Sequence, residues 1–588
     1  MSGELLRLLA HHWKGAGTDI ECAAKAVQFL KLAGDRALSQ SAFDEASLQF
    51  EEALESVADH ADLAREEGPL QRRLGEYYMV KGEYGSAKPR LEQALVALGG
   101  EPGPLSSLPE KDVRVRLELL RAQAFRGQAL DSVASPLRKL GRFVRGDDES
   151  ETIEGQPLGP PPTEGDALMT MELALAYELL SRCLMNEHLV QLASYCATRA
   201  LQLGQSLQHL TPVVARAYSS LCLTAAADRR LKEATRFKDL ALSSCKLLGE
   251  QGLLSNTLTV AAVNEAAQGS WVVAVANLQE AVTIADEIGD SWQLEEATVH
   301  MAHLEFYRGN FGTSRAKFET ALAWGLARKD RKRADGCRAG IGGVLLATGD
   351  HQAAHEILQG GKSYGQKALA LLRLGKDAEA YAEALKVKDR FKGRRTKYYV
   401  LKAFVSAAEV FLTLYENALR AEANGGATPQ PEANGGSGGG GVLSKLGNSS
   451  ALLSIGSVGS PGKTTQRSSE AEGHDPEHFE EVGVDGLQAM CQEWIDKLAQ
   501  FSSVYAVANP RTLLYRGRLK LLSGSPGEGL KLMRKSQQLA AKMAMPYDEA
   551  IALAMLAKHT KTSLRESQAL RHEAHEIFVK LGVSGNLD

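Results

Sequence analysis

Small residues recur at three fixed places about every 40 positions along this chain, and that rhythm limits what it can fold into. One column holds Ala46, Ala87, Ala193, Ala234, Ala274, Ser314, Ala354, Ala380 and Gly529. Seven positions later stand Ala53, Ala94, Ala200, Ala241, Ala281, Ala321, Gly361, Val387 and Ser536. Twelve positions before the first column stand Gly34, Gly75, Ser181, Cys222, Ala262, Ala302, Gly342, Ala368 and Gly517. Small side chains at such offsets let two antiparallel helices approach closely and let the next pair stack on them. The pattern predicts an all-α chain, a right-handed α-solenoid of roughly a dozen antiparallel helix pairs with almost no strand.

The columns match the tetratricopeptide pattern, whose small positions are the eighth, twentieth and twenty-seventh of the repeat. Leu74-Gly75, Tyr78, Gly82-Glu83-Tyr84, Ala87, Leu91 and Ala94 make the fullest copy. Glycines at Gly82, Gly269, Gly309, Gly349 and Gly375 are placed to end the first helix of a pair in a left-handed turn. Tyr84, Trp271 and Phe311 follow two positions later and are expected to cap the hairpin core. From Ala193 to Ala354 the anchors step by 41, 40, 40 and 40. The tetratricopeptide step is about 34, so these helices are longer, and the chain resembles the large-repeat variants of that family.

A chain of 588 residues is too long for one globular core, whereas in a solenoid each unit touches only its neighbours. The balance of 68 basic and 72 acidic residues favours neither nucleic acid nor an acidic membrane as partner. Seven scattered cysteines, none in a Cys-x-x-Cys pair, read as reduced and structural. No run of 18 apolar residues is present, and a cytoplasmic location is expected.

The expected organisation is uneven. Helical repeats cover 1–145, with a third hairpin over Val113–Val144, and an acidic Pro/Gly-rich loop covers 146–166. The most regular repeats fill 167–423, a Gly/Ser-rich disordered insertion fills 424–476, and helical repeats resume over 477–588. The amphipathic stretch Thr396–Ala421 has no partner before the insertion, so Leu487–Val507 is expected to pair with it.

Signals of chemistry are weak. Gly462-Lys463-Thr464 has Ser457 where a phosphate-binding loop needs glycine, and neither a strand before it nor a helix after it is expected. His11-His12 and the pair His300 and His303 lack further ligands at metal spacing, so no metal and no cofactor are expected. Two basic clusters are candidate partner contacts: Arg328, Lys329, Arg331, Lys332 and Arg333, and then Lys392, Arg394 and Arg395. Their ordinary reading is a solvated face; as a binding surface they suit an acidic partner, a phosphorylated peptide or RNA, and with aromatic side chains too sparse to stack bases nucleic acid is not the expected partner.

Both ends resemble the helical tails of large signalling proteins, the soluble adenylyl cyclase-type nucleotide cyclases and the AAA-like signal-transduction ATPases. The resemblance rests on "LLRLLAHHWKGAG" with "KAVQFLKLAGDRALSQSAFDEASLQFEEAL", and on "KSQQLAAKMAMPYDEAIALAMLAKH" with "LRHEAHEIFVKLGV". Lys542 to Ala550 stands where such tails carry a Met-Pro-Tyr-Glu-Ala turn. The cyclase and ATPase motifs of those families are absent from this sequence. The resemblance therefore implies a non-catalytic interaction scaffold or regulatory tail, with protein partners that include an ATPase or cyclase module. The alternative it implies is a fragment of a multidomain cyclase or ATPase whose catalytic modules lie upstream.

Overall fold

The computed structural model describes residues 3–124, 163–390, 398–425 and 482–583, apart from positions 18, 41, 188, 329 and 561–563. Among the described residues there are 24 α-helices and no strand. After a leading helix α1 (Gly3–Ala16), α2 (Ile20–Ser39) and α3 (Phe43–Ala58) form the first hairpin, and α4 (Glu67–Val80) and α5 (Tyr84–Ala97) the second. Next comes a single helix α6 (Glu110–Ala124). Five further hairpins pair α7 (Glu164–Asn186) with α8 (Val190–Ser206), α9 (Pro212–Ala227) with α10 (Leu231–Leu248), and α11 (Gln251–Gln268) with α12 (Trp271–Glu287). The other two pair α13 (Ser291–Tyr307) with α14 (Phe311–Ala327), and α15 (Arg331–Thr348) with the short α16 (His351–Leu358). Four more complete the α-solenoid. They are α17 (Tyr364–Arg373) with α18 (Asp377–Arg390), α19 (Leu401–Gly425) with α20 (Val484–Ser502), α21 (Asn509–Leu522) with α22 (Pro526–Lys542), and α23 (Pro546–His559) with α24 (Leu564–Lys580).

The small columns are where the two helices of a hairpin cross. Ala46, Ala87, Ala193, Ala234, Ala274, Ser314, Ala354 and Ala380 are all fully buried. The first column and the column twelve positions earlier face each other so closely that a serine in either reaches the other helix's backbone. Ser181 donates to the carbonyl of Ala193 at 2.7 Å, and Ser314 donates to that of Ala302 at 2.8 Å. The approach is tightest where both positions are glycine. A β-carbon on Gly529 would stand 2.7 Å from the carbonyl oxygen of Gly517, and one on Gly517 would stand 2.8 Å from that of Gly529. Because the obstruction is backbone, Gly529→Ala is expected to push α21 and α22 apart, at about 1–3 kcal/mol. Urea unfolding that shows no loss would refute the backbone contact.

The five turn glycines named above all have φ between 75° and 90°. Trp271 and Phe311 are buried at the starts of their helices, and Trp271 stacks on Tyr307 with centroids 5.7 Å apart. Two features depart from the expected order. The second helix of the seventh hairpin stops at Leu358, leaving Gly361 beyond its end. Of the hairpin expected over Val113–Val144, the described part, α6, stands outside the stack, in which α7 packs directly on α4 and α5. Helix α6 lies instead against α8, burying Val113 and Leu117, with Arg121 donating to the Ser194 hydroxyl at 2.9 Å. The remainder of that expected hairpin, and nearly all of the 424–476 insertion, lie outside the described residues.

Helices α19 and α20 pack together across the long sequence gap between them. Trp494 of α20 stacks on Phe411 with centroids 6.0 Å apart and meets Phe404 edge-on at 5.9 Å. The stretch Tyr398–Ala423 is long and apolar enough to cross a membrane by length and composition, but most of it is buried against neighbouring helices. Its composition is that of a core helix.

Hairpins five apart in sequence also touch. Lys332 of the seventh lies 3.9 Å from the ring centre of Tyr84 in the second. Trp271 of the fifth donates its indole N–H to the Met543 carbonyl of the tenth at 2.5 Å, and Phe311 of the sixth meets Tyr547 of the eleventh at 5.3 Å. One superhelical turn therefore takes about five hairpins, and consecutive turns are in contact.

Candidate functional site

The first helices of the last six hairpins line one side of the superhelix and enclose a cavity of about 280 Å³. Its walls come from α13, α15, α17, α19, α21 and α23. Helix α19 runs along it with Lys402, Glu409 and Glu416 spaced at seven residues, which places all three on one helical face. Across the cavity α21 presents Arg511, Tyr515 and Arg518 on a face of its own. Apolar wall is supplied by Phe306, Leu346, Leu369, Val405, Ile551 and Met555.

Most of these charges are already paired. Arg511 donates to Asp548 at 2.5 Å, and both side chains are almost wholly buried. Arg373 pairs with Glu409, which also accepts from the Tyr515 hydroxyl at 2.8 Å. Glu416 takes Arg518 at 2.6 Å and Arg420 at 2.5 Å, with Lys558 at 3.9 Å. Burial alone would raise the Glu409 pKa. Arg373, Arg511, the Tyr515 hydrogen bond and Arg518 outweigh it and hold the carboxyl below its ordinary value. Glu416 is held low in the same way, chiefly by Arg518.

Lys402 differs from all of these. Its ammonium nitrogen is buried with no hydrogen-bond or ion-pair partner among the described residues. It sits 3.3 Å from the ring centre of Phe306 and lies close to the α15 backbone at Gly343. Burial pushes its pKa down to about 7, since an apolar wall cannot replace the water a cation needs. Tyr307, also on the cavity wall, buries its hydroxyl without a hydrogen-bond partner among the described residues. Six basic groups line the cavity (Arg373, Lys402, Arg420, Arg511, Arg518 and Lys558) against three acidic ones (Glu409, Glu416 and Asp548). The lining thus has an excess of basic groups.

The basic cluster at 328–333 has a structural task. Arg328 and Arg333 both pair with the buried carboxylate of Glu295, the latter at 3.0 Å, and both guanidiniums lie over the Trp292 ring. Lys332 is the residue that reaches Tyr84. Arg331 is exposed. Lys329, Lys392, Arg394 and Arg395 lie outside the described residues. His303 stacks on Tyr399 at 4.9 Å, and burial lowers its pKa well below the ordinary value. Among the described residues no three histidine, cysteine or acidic side chains gather as a metal site.

The cavity residues were missed in the sequence because they sit inside helical repeats whose pattern is read for packing. A signal was present: charges at seven-residue spacing, Lys402, Glu409 and Glu416, on an otherwise apolar helix, answered by Arg511 and Arg518 seven apart.

No protein-family model matches the sequence. No curated protein matches it either. Among solved structures it is similar to a signal transduction ATPase with numerous domains from Pyrococcus horikoshii, which carries a tetratricopeptide repeat sensor. That match has 13% identity and a TM-score of 0.30, covering 69% of this chain and 54% of the other, so this chain spans about half of that protein's length. It is also similar to yeast Tom70, at 10% identity and a TM-score of 0.29, covering 98% of this chain and 96% of that one. Likenesses at these scores assign no function.

Proposed function

We propose that this chain is a non-catalytic protein-interaction scaffold of the tetratricopeptide type, acting in the cytoplasm in intracellular signalling. The observation that carries this reading is the inner face of the solenoid, where the first helices of successive hairpins present a row of charged side chains. At the amino-terminal end of that wall Arg72 pairs with Glu172 at 2.5 Å and with Glu76 at 2.7 Å, and Arg73 pairs with Asp35 at 2.7 Å. The small columns hold each hairpin together, so the exposed side chains along the wall can vary to suit a partner without disturbing the packing. An extended acidic segment of another protein suits such a surface, through many modest contacts. The exposed Arg331 and the run Lys392, Arg394 and Arg395 are its proposed anchors, while Arg328 and Arg333 set the local geometry.

A fluorescent peptide of alternating glutamate and glycine tests this reading. It is expected to bind the intact chain and to lose about tenfold in affinity when Arg331, Lys392, Arg394 and Arg395 are all changed to glutamate, with the melting temperature unchanged. An affinity unaffected by the four reversals would reject these anchors. In the same preparation, ATP with magnesium is expected to show no turnover above buffer. Turnover lost on Lys463→Ala would reveal a nucleotide site and end the scaffold reading.

A second reading makes the chain the regulatory tail of a nucleotide cyclase or an AAA-like ATPase. What favours it is that Tyr547 and Asp548, inside the segment resembling those tails, stand at the cavity wall rather than in a passive turn. An in-frame ATPase and cyclase encoded upstream of Met1 would establish it.

A further inference from the structure

Beyond the scaffold reading, we propose that the cavity of the last superhelical turn binds a small organic anion, with an acidic head at Lys402 and a short apolar body along α19. Three independent features converge there. The cavity holds about 280 Å³, close to the smallest ligand pockets. Two polar groups on its wall, the Lys402 amine and the Tyr307 hydroxyl, are buried without a hydrogen-bond partner among the described residues, a costly arrangement that an acidic ligand would relieve. The lining also carries six basic groups against three acidic ones, so the field inside favours an anion.

The mouth and the deep end have different tasks. Arg420 and Lys558 share Glu416 with Arg518 and are the more exposed members, so they draw an anion in. Helical rise over the fourteen residues from Lys402 to Glu416 separates the two ends by about 21 Å. Between them, Arg373 with Glu409 and Arg511 with Asp548 are closed pairs, and the apolar side chains of Leu369, Val405 and Ile551 face the body of the ligand. An anionic head restores the charged form of Lys402, so binding takes up a proton at pH values above about 7. Of the titratable groups, His303 of α13 feels the charge on that amine, and Tyr307 of α13, Arg373 of α17 and Glu409 of α19 share the cavity lining with it. The packed faces of α14 and α15 offer it Phe318 and Gly343.

The proposal is tested on the full chain with pyridoxal 5′-phosphate, whose aldehyde reports whether the Lys402 amine is uncharged and reachable from the cavity, and whose reaction an anion seated at that amine would block. The Lys402 amine condenses with the aldehyde to an imine with loss of water, and borohydride then delivers hydride to give a stable secondary amine. One adduct per chain, located by peptide mass spectrometry at Lys402 and suppressed by a competitor, supports the site. Protection by inorganic pyrophosphate identifies a phosphate head, and protection by succinate a carboxylate head. Label spread over exposed lysines, unprotected by either, overturns it. Lys402→Met keeps the side-chain volume and removes the buried amine. It is expected to melt at or above the temperature of the parent chain while competitor binding weakens at least tenfold. Unchanged binding, or a lower melting temperature that marks the amine as structural, overturns the proposal. Arg420→Gln, at the exposed mouth, gives a folded control expected to weaken binding about threefold. Peptide binding through Arg331 and the 392–395 run reads the scaffold function separately, so either reading can fail alone.

Discussion

Asp548→Ala is expected to destabilise the carboxy-terminal turn by about 3–5 kcal/mol, because it strands the Arg511 guanidinium among apolar and already paired neighbours. The loss comes less from the missing attraction than from a buried cation left without its counter-charge. Burial opposes the charged form of Arg511, and Asp548 is the first group that restores it. Urea unfolding of the variant should show a lower midpoint. Replacing both partners together, as Arg511→Met with Asp548→Leu, should recover most of the loss, since an apolar pair needs no compensation. A single variant within 1 kcal/mol of the parent would mean that the pair is wetter than the structure shows.

Trp494→Ala is the second large effect, at about 3–5 kcal/mol, because its indole is 1% exposed and fills the space between Phe404 and Phe411. The consequence is sharper in a chain cut between α19 and α20. With a protease site engineered into the Gly/Ser run at 435–441, the parent's two fragments should stay together on gel filtration after cleavage, held by the packing of α19 on α20. With alanine at 494 they should separate. Separation of the parent's fragments would show that packing across the gap is too weak to make one unit of the two sides.

How much of this could be read from the sequence depends on how local the cause is. The helical hairpins follow from Ala46, Ala87, Ala193 and their relatives, because a small side chain is needed wherever two backbones cross. Gly309 and Gly349 mark turns for an equally local reason, a left-handed backbone. What escaped is non-local. The stack passes over α6 because α7 finds α5 first, and no offset within 110–124 announces that. The basic residues Arg328 and Arg333 read as a solvated patch in sequence. Only the fold reveals that Glu295, more than thirty positions earlier, is buried beneath them. The cavity is the extreme case. Its walls come from six hairpins, so Lys402 of the ninth meets Phe306 of the sixth only once the superhelix has curved back on itself.

That closure changes what kind of object the solenoid is. An open array of repeats can gain or lose a unit with only local consequences, since every interface is between sequence neighbours. Here Lys332 is matched to Tyr84, Trp271 to Met543 and Phe311 to Tyr547, each across five hairpins. Deleting one hairpin from the middle would leave every later repeat facing the wrong counterpart, as a thread cut one tooth short no longer meshes. The chain is thereby locked to its repeat number. Its folding must also wait for contacts separated by more than two hundred residues, so it should unfold with the shared cooperativity of a globular domain rather than fray from an end.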